Sequence, residues 1–388
     1  MPAWSWWLAG GMFVVVCLLR DFVMTSGGSI GDSVYWGRDF INVWTGGHLV
    51  RDGRLDLLYD LHGYAAYQRS LFGPVDPHNY SYPPLSFPLV ALLSLLPYPV
   101  ALGVWTVGTA ALFVWAARPW WPDKAGPVWL AALTPAAIVN IWAGHYGFLI
   151  GALFLLGWQR LDDRPRQAGI FFGLMLLKPH LAVLVPLALL IRRDWQAIGS
   201  AAATVAAIVA GTTLWFGWRP WHDFLFRTSA VQAGLIDARD TLFGLMSCSA
   251  ATAILRLTAS WPLAVLGQLL FAAAAVAMVS IAASRRVPTR ELALIVATAT
   301  FLLLPYSFNY DLTVVMIGAL ALLGRTDLST LDRRLALYGF LSPQLGMVTA
   351  AVAVPLTPLM LLGLGIAQLR AAVGSPLWAF KRHTALRH

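Results

Sequence analysis

The sequence predicts an all-α, polytopic membrane protein of about twelve transmembrane helices, forming one integral membrane domain over residues 1–388. Three observations carry this expectation. Hydrophobic residues make up 59% of the chain and charged residues 12%, with a mean hydropathy of +0.68, outside the range of soluble globular domains. Apolar runs of about ten to twenty residues recur along the whole length, and no stretch between them is long enough for a soluble domain. Alternate connections between the runs are rich in Arg and Lys, the bias of loops kept on the cytoplasmic side.

The first helix is expected at Trp6–Phe22. It has neither a basic leader nor a small-x-small cleavage site, so it reads as a retained crossing. The next crossing, Val100–Ala117, ends at Arg118 and Lys124. Between them, residues 23–98 form a first outer loop. Within it Phe40, Val43, Trp44 and Gly47 share one face at helical spacing, which predicts an amphipathic helix on the membrane surface, and Leu61–Leu71 is a candidate second. Pro84–Leu96, bracketed by prolines that prevent its extension, reads as a juxtamembrane or re-entrant helix.

Beyond this, basic connections at Arg160–Arg166, Arg192–Arg193, Arg285–Arg290 and Arg325–Arg334 alternate with outward ones. The outward set is Gly144–Tyr146, Lys178–His180, a second outer loop over residues 216–260, Pro305–Asp311 and a turn near Pro355. Both termini then lie inside. Phe148–Trp158 and Leu181–Ile191 would each span only about 17 Å as helix, against a hydrocarbon core of about 30 Å. A single helix over Gly169–Ile191, with Lys178-Pro179-His180 inside it, is therefore an alternative that would invert part of the topology.

The net charge of +9 does not point to nucleic acid, because the basic residues are scattered through short loops and form no stripe with aromatic platforms. Cys17 and Cys248 lie in or beside apolar runs without ligand spacing and read as packing residues. A Walker loop, a dinucleotide glycine fingerprint and a His metal cluster are all absent, which argues against an ATP-driven pump and against a nucleotide-sugar enzyme of the soluble kind. No cofactor and no metal is expected.

Only eighteen acidic residues occur, yet Asp32, Asp39, Asp52, Asp56, Asp60 and Asp76 gather in the first outer loop. Asp39 opens the amphipathic helix beside the bilayer, where a carboxylate can act as a base; the competing reading is a helix N-cap. Tyr82 stands in the stiff segment Asn79-Tyr80-Ser81-Tyr82-Pro83-Pro84 at the interface. Lys178 and His180 interrupt an apolar run, where ionisable groups are costly enough to suggest function, although a lysine can also snorkel. The obvious anion for Lys178 is a bound phosphate. Asn309, Tyr310 and Asp311 form a polar outward turn suited to a hydroxylated ligand or to capping a helix. Arg227 and Arg239, in the second outer loop, are phosphate candidates because the guanidinium donates two parallel hydrogen bonds.

Taken in order, Gly37-Arg38-Asp39-Phe40 through Trp44-x-Gly46-Gly47, Leu58-Tyr59-Asp60, Tyr80-Ser81-Tyr82-Pro83-Pro84-Leu85, Lys178-Pro179-His180 and Pro305–Leu312 resemble a known family. The pattern is similar to that of the GT-C superfamily and, within it, of glycosyltransferase family 87, the polyprenol-phosphate-mannose-dependent mannosyltransferase-like proteins. The resemblance implies a GT-C-type bundle with juxtamembrane helices on the outer face. It also implies transfer of a hexose, with mannose the expected sugar, from a polyprenyl-phosphate donor to a lipid or glycan acceptor. The reaction would run with inversion on the periplasmic side of the inner membrane. Asp39 would be the base, with Arg38, Tyr82, Lys178, His180 and the arginines on the substrate side. One departure stands out: the late turn reads Leu304-Pro305-Tyr306-Ser307-Phe308-Asn309-Tyr310-Asp311, where the better-known branch carries a His. Asp311 or Tyr310 is the expected substitute. A transporter or flippase for a lipid or small solute is the rival reading; it calls for related halves with corresponding broken helices, and the sequence shows no internal repeat.

Overall fold

A computed structural model describes residues 25–26, 29–30, 34–75, 78–237 and 239–374 of the chain. The expected first helix, Cys17, Asp32, Asp76 and the tail basic residues Lys381, Arg382 and Arg387 lie outside the described residues. A ribbon of three two-residue antiparallel strands, Thr25–Ser26, Ser29–Ile30 and Val34–Tyr35, precedes an otherwise helical structure. Three of its helices are apolar and long enough to cross a membrane unaided, and shorter apolar helices of 10–17 residues accompany them.

Residues 36–98 form a compact cap rather than a surface layer. Here α1 is Phe40–Arg51, α2 Leu61–Phe72 and α3 Phe87–Leu93. The apolar face read from Phe40, Val43 and Trp44 exists, but it is covered by protein instead of lying on lipid: Phe40 and Val43 are fully buried. Phe40 meets Tyr98 edge-on at 5.5 Å, and Trp44 Nε1 donates to Leu96 O at 2.9 Å. The Gly46-Gly47 pair permits this docking. A β-carbon on Gly47 would stand 2.1 Å from the Val90 carbonyl oxygen, so only glycine lets α1 lie against α3.

The bundle follows, with α4 Tyr98–Ala117, α5 Pro135–Ala143, α6 Gly147–Arg160, α7 Pro165–Leu174, α8 Val185–Arg192 and α9 Trp195–Phe216. Lys178 lies at the tip of a hairpin, not inside a continuous helix. Its backbone leaves helical geometry (φ −138°, ψ 75°) just before Pro179, and α8 returns toward the start of α7. Arg192 there reaches Asp162 at 3.0 Å and Thr289 at 2.8 Å. The alternative of one helix through Lys178 is thereby overturned: proline forces the break, and Arg192 holds the descending arm beside the loop where α7 begins.

This hairpin recesses whatever it carries. Gly169 and Gly173 of α7 press on Ala197 and Thr204 of α9, so the two helices rise side by side from the same end. From Pro165 to Leu177 the chain climbs about 20 Å, whereas α9 climbs about 33 Å. Lys178 therefore sits roughly 10 Å short of the far end of α9, a helix apolar and long enough to cross a bilayer.

The chain continues through α10 (Arg219–Asp223), a π-helical turn Phe224–Thr228, α11 (Ser229–Asp237), α12 (Leu242–Met246), α13 (Ala250–Thr258), α14 (Trp261–Ser284), α15 (Thr289–Leu303), α16 (Thr313–Leu323), α17 (Thr330–Ala351) and α18 (Thr357–Val373). The basic connections converge on one end of the bundle. Besides the Arg192 contacts, Arg290 donates to Trp120 O at 2.8 Å, Arg370 lies 3.4 Å from Asp332, and Arg333 donates to Leu323 O at 3.1 Å. Asp39, Lys178 and Asp311 lie toward the other end.

Candidate active site

Two interlocked turns place Asp39. Gly37 (φ +77°) and Arg38 (φ +42°) take left-handed backbone conformations, the second unusual for an arginine. The peptide N–H of Asp39 donates to Ala143 O at 3.0 Å, while Gly144 (φ +62°) fits against the Gly37 carbonyl, where a β-carbon would come within 2.5 Å. Sequence alone left open whether Asp39 caps α1. It holds the N-cap position, but its side chain makes no capping hydrogen bond. The carboxylate lines a cavity instead, largely buried in its protein wall. Burial raises its pKa above the ordinary carboxylate value, an effect that the positive charges of His78, Lys178 and Arg38 oppose only in part.

Across the cavity three further turns join the Gly144–Tyr146 turn in a polar cluster. Lys178 Nζ donates to both carboxylate oxygens of Asp311, at 2.7 and 2.9 Å, and to His145 Nδ1 at 3.2 Å. Lys178 is 6% exposed and Asp311 7%. The peptide N–H of Tyr146 also donates to His145 Nδ1, at 2.9 Å. That nitrogen is thus an acceptor, so the ring proton belongs on Nε2, which faces the Tyr82 hydroxyl at 3.2 Å. His145 is then neutral, and its 3.9 Å approach to Asp311 is not an ion pair. Its ring stacks on Tyr310 at 4.1 Å. Gly147 makes the stacking possible by letting its backbone approach the Tyr310 carbonyl, and Thr313 Oγ1 donates to Gly147 O at 3.0 Å. The late turn is tied down from outside by the Cys248 amide, which donates to Ser307 O at 2.9 Å.

The cavity between Asp39 and this cluster has a volume of about 700 Å³. Arg38, Tyr82, His180 and Tyr310 also line it, as do the apolar side chains of Trp142, Phe224 and Phe243. The Arg38 guanidinium lies over the Trp142 ring at 3.8 Å. Ammonium and carboxylate cancel in the Lys178–Asp311 pair, so the wall opposite Asp39 is polar but nearly neutral. Asp39 forms no hydrogen bond or ion pair among the described side chains, which leaves it able to take a proton from a hydroxyl placed in the cavity.

Not every residue singled out in the sequence arrives here. Lys178 does line the cavity, but with an anionic partner of the same chain, Asp311, already in place, so a phosphate there would have to share it. Arg227 turns to Asp223 at 3.3 Å, which also faces Arg219 at 3.6 Å. Arg239 approaches Asp240 at 3.8 Å and donates to Leu255 O at 3.2 Å. Neither arginine lines the cavity. Asn309 is buried beside it and donates to Pro343 O at 2.7 Å, fixing the late turn without reaching the cavity. His145 is the residue that sequence reasoning passed over. The signal was available: a lone histidine after Gly144, in a connection already read as outward. Among the described residues no group of three or more His, Cys, Asp or Glu side chains is arranged to hold a metal ion.

The sequence model of glycosyltransferase family 87 matches residues 80–305, more than half of the chain. The protein belongs to glycosyltransferase family 87. It is a membrane glycosyltransferase of the GT-C-like superfamily, as the ordered motifs led one to expect. The region matched to family 87 contains Tyr82, His145, Lys178 and His180, while Asp39 and Asp311 fall on either side of it. Neither a curated protein nor a solved structure matches the chain.

Proposed function

We propose that this glycosyltransferase moves a hexose, with mannose the first candidate, from a polyprenyl-phosphate donor to a hydroxyl of a lipid or glycan acceptor. The single observation that carries the reading is the Asp39 carboxylate, uncapped and without a side-chain partner among the described residues, facing the neutral Lys178–Asp311–His145 wall across a recessed cavity. Asp39 takes the proton of the acceptor hydroxyl as its oxygen attacks the anomeric carbon from the face opposite the phosphate, and the configuration inverts. Negative charge then builds on the departing phosphate oxygen. Arg38 and Lys178 are the cations at hand to stabilise it, Lys178 by sharing its third N–H between His145 and the phosphate. A recess inside the bilayer suits a donor whose sugar-phosphate stays attached to a lipid tail, and apolar walls such as Trp142 and Phe243 suit the first isoprene units. The cleanest test presents purified protein with a panel of radiolabelled polyprenyl-phosphate sugars, nucleotide sugars and host lipid extract. Transfer from the lipid-linked hexose alone is the expected result; transfer from a nucleotide sugar alone would overturn the donor assignment.

The proposal extends to the orientation in the membrane. The convergence of basic connections at the end opposite Asp39 favours that end as cytoplasmic, with the site on the periplasmic side of the inner membrane and about twelve crossings when Trp6–Phe22 is included. Single cysteines introduced at Arg164 and at Asp52, in a background without Cys17 and Cys248, test it with an impermeant thiol reagent. Labelling from outside is expected at position 52 and not at 164, and the reverse pattern would invert the protein.

A further inference from the structure

A second cavity, of about 340 Å³, opens at the opposite end of the bundle, between α15, α16, α18 and the connection after α4. Its size falls within the range of ligand sites, roughly 300–1,000 Å³. Two features distinguish it from a packing gap. First, it contains buried polar atoms without protein partners among the described residues: Gln368 Nε2, Gln368 Oε1 and Glu291 Oε2. Gln368 is only 6% exposed and presents its amide beside Gly318, whose lack of a side chain leaves the space open. A buried polar group left unpaired is costly, so such groups point to something that pairs with them. Second, charges of both signs line the same space: Lys124, Arg290 and Arg325 against Asp123 and Glu291. Arg325 is held by Asp327 in a two-pronged contact of 2.6 and 2.9 Å, and Arg290 gives one N–H to Trp120 O at 2.8 Å, so Lys124 and the other N–H groups of Arg290 are the cationic donors on the cavity lining.

The unpaired atoms specify the ligand's chemistry. Glu291 Oε2 and Gln368 Oε1 only accept, so the ligand must bring N–H or O–H donors, and beside a carboxylate a cationic donor is preferred. Gln368 Nε2, Lys124 and Arg290 only donate, so it must also bring anionic acceptors. We propose that this cavity binds a zwitterionic phosphoester, an ammonium and a phosphate a few bonds apart, as carried by the head group of phosphatidylethanolamine. The lipid source is favoured by position, since residues of the basic connections line the cavity and the orientation proposed above puts those connections at the membrane surface. A choline head group lacks the N–H donors, and a glycerol head group lacks the positive charge.

The test is lipid binding to the full-length purified protein, followed by native mass spectrometry and by thermal unfolding. Short-chain phosphatidylethanolamine is expected to bind at least about tenfold more tightly than the choline or glycerol analogue, the step of one charged hydrogen bond. Glu291→Gln should erase that preference. Lys124→Ala, at an exposed position in the connection after α4, should weaken the ethanolamine lipid about tenfold. Soluble phosphoethanolamine in excess is expected to compete, because the chemistry recognised is in the head group; failure to compete would assign the ligand to an intact lipid. Equal binding of the three lipids, or unchanged binding in both variants, would mean that the cavity holds water only. None of these readouts uses sugar transfer, so the result stands apart from the catalytic reading.

Discussion

Asp39→Asn is expected to lower sugar transfer by about a hundredfold to ten-thousandfold, the usual contribution of a general base, while leaving donor binding near the parent's. An amide keeps the shape of the carboxylate but cannot accept the proton. If Asp39 served only as a cap, asparagine, an equally good cap, would replace it at a cost below about 1 kcal/mol and with little change in rate. The structure adds a second discriminant. Burial raises the Asp39 pKa in the folded protein, so the folded state binds this proton more tightly than the unfolded chain does. Its contribution to stability is therefore lost as pH rises through the raised pKa. Thermal unfolding of the parent should show that loss and Asp39→Asn should not, leaving the variant as stable or more stable at neutral pH. The parent's transfer rate should rise with pH across the same interval. Asp52→Asn is the matched control, because Asp52 is an exposed loop carboxylate that accepts from Tyr67 at 3.2 Å away from the cavity. Near-parental turnover by Asp39→Asn would sink the assignment.

The parts of this molecule legible in its sequence are those that obey one local rule. Proline before an apolar run sets where helices start and stop, and the Lys/Arg bias orders the connections; together they place Lys178–His180 at one end and Arg192 at the other. Asp39 was legible because carboxylates are scarce and unevenly spread. What escaped depended on partners distant in sequence. The apolar face of α1 has the periodicity of a membrane-surface helix, and nothing in that periodicity reveals that α3 and Tyr98 cover it. Arg227 looked like a phosphate ligand when considered alone, yet Asp223 stands four residues before it and four after Arg219, so the two arginines share one carboxylate along one helical face. His145 could not be paired with Lys178 from spacing, since 33 residues and two helices, α6 and α7, separate them. The late turn was expected to supply a substitute for its missing histidine from Tyr310 or Asp311. No spacing rule showed that an imidazole from another turn, His145, stacks on Tyr310 at 4.1 Å.

Lys178 and Asp311 should separate structure from function when changed one at a time and then together. Lys178→Met leaves the Asp311 carboxylate buried without its cation, and Asp311→Leu leaves the ammonium without its anion. Loss of one partner of a buried pair costs about 3–5 kcal/mol, whereas replacing both with apolar groups of similar size is often neutral. Each single variant is thus expected to unfold well below the parent in a detergent thermal ramp, and Lys178→Met with Asp311→Leu to recover most of the difference. Transfer should not recover with it. If Lys178 shares its third N–H between His145 and the donor phosphate, the stable double variant will need a far higher donor concentration to reach half-maximal rate, while acceptor dependence stays close to the parent's. A double variant that is both stable and unimpaired toward the donor would reduce the pair to a hydrogen-bonded strut holding the α7–α8 hairpin against the late turn. Arg38 would then be left as the cation for the phosphate, and Arg38→Met, tested at the same donor concentrations, would decide it.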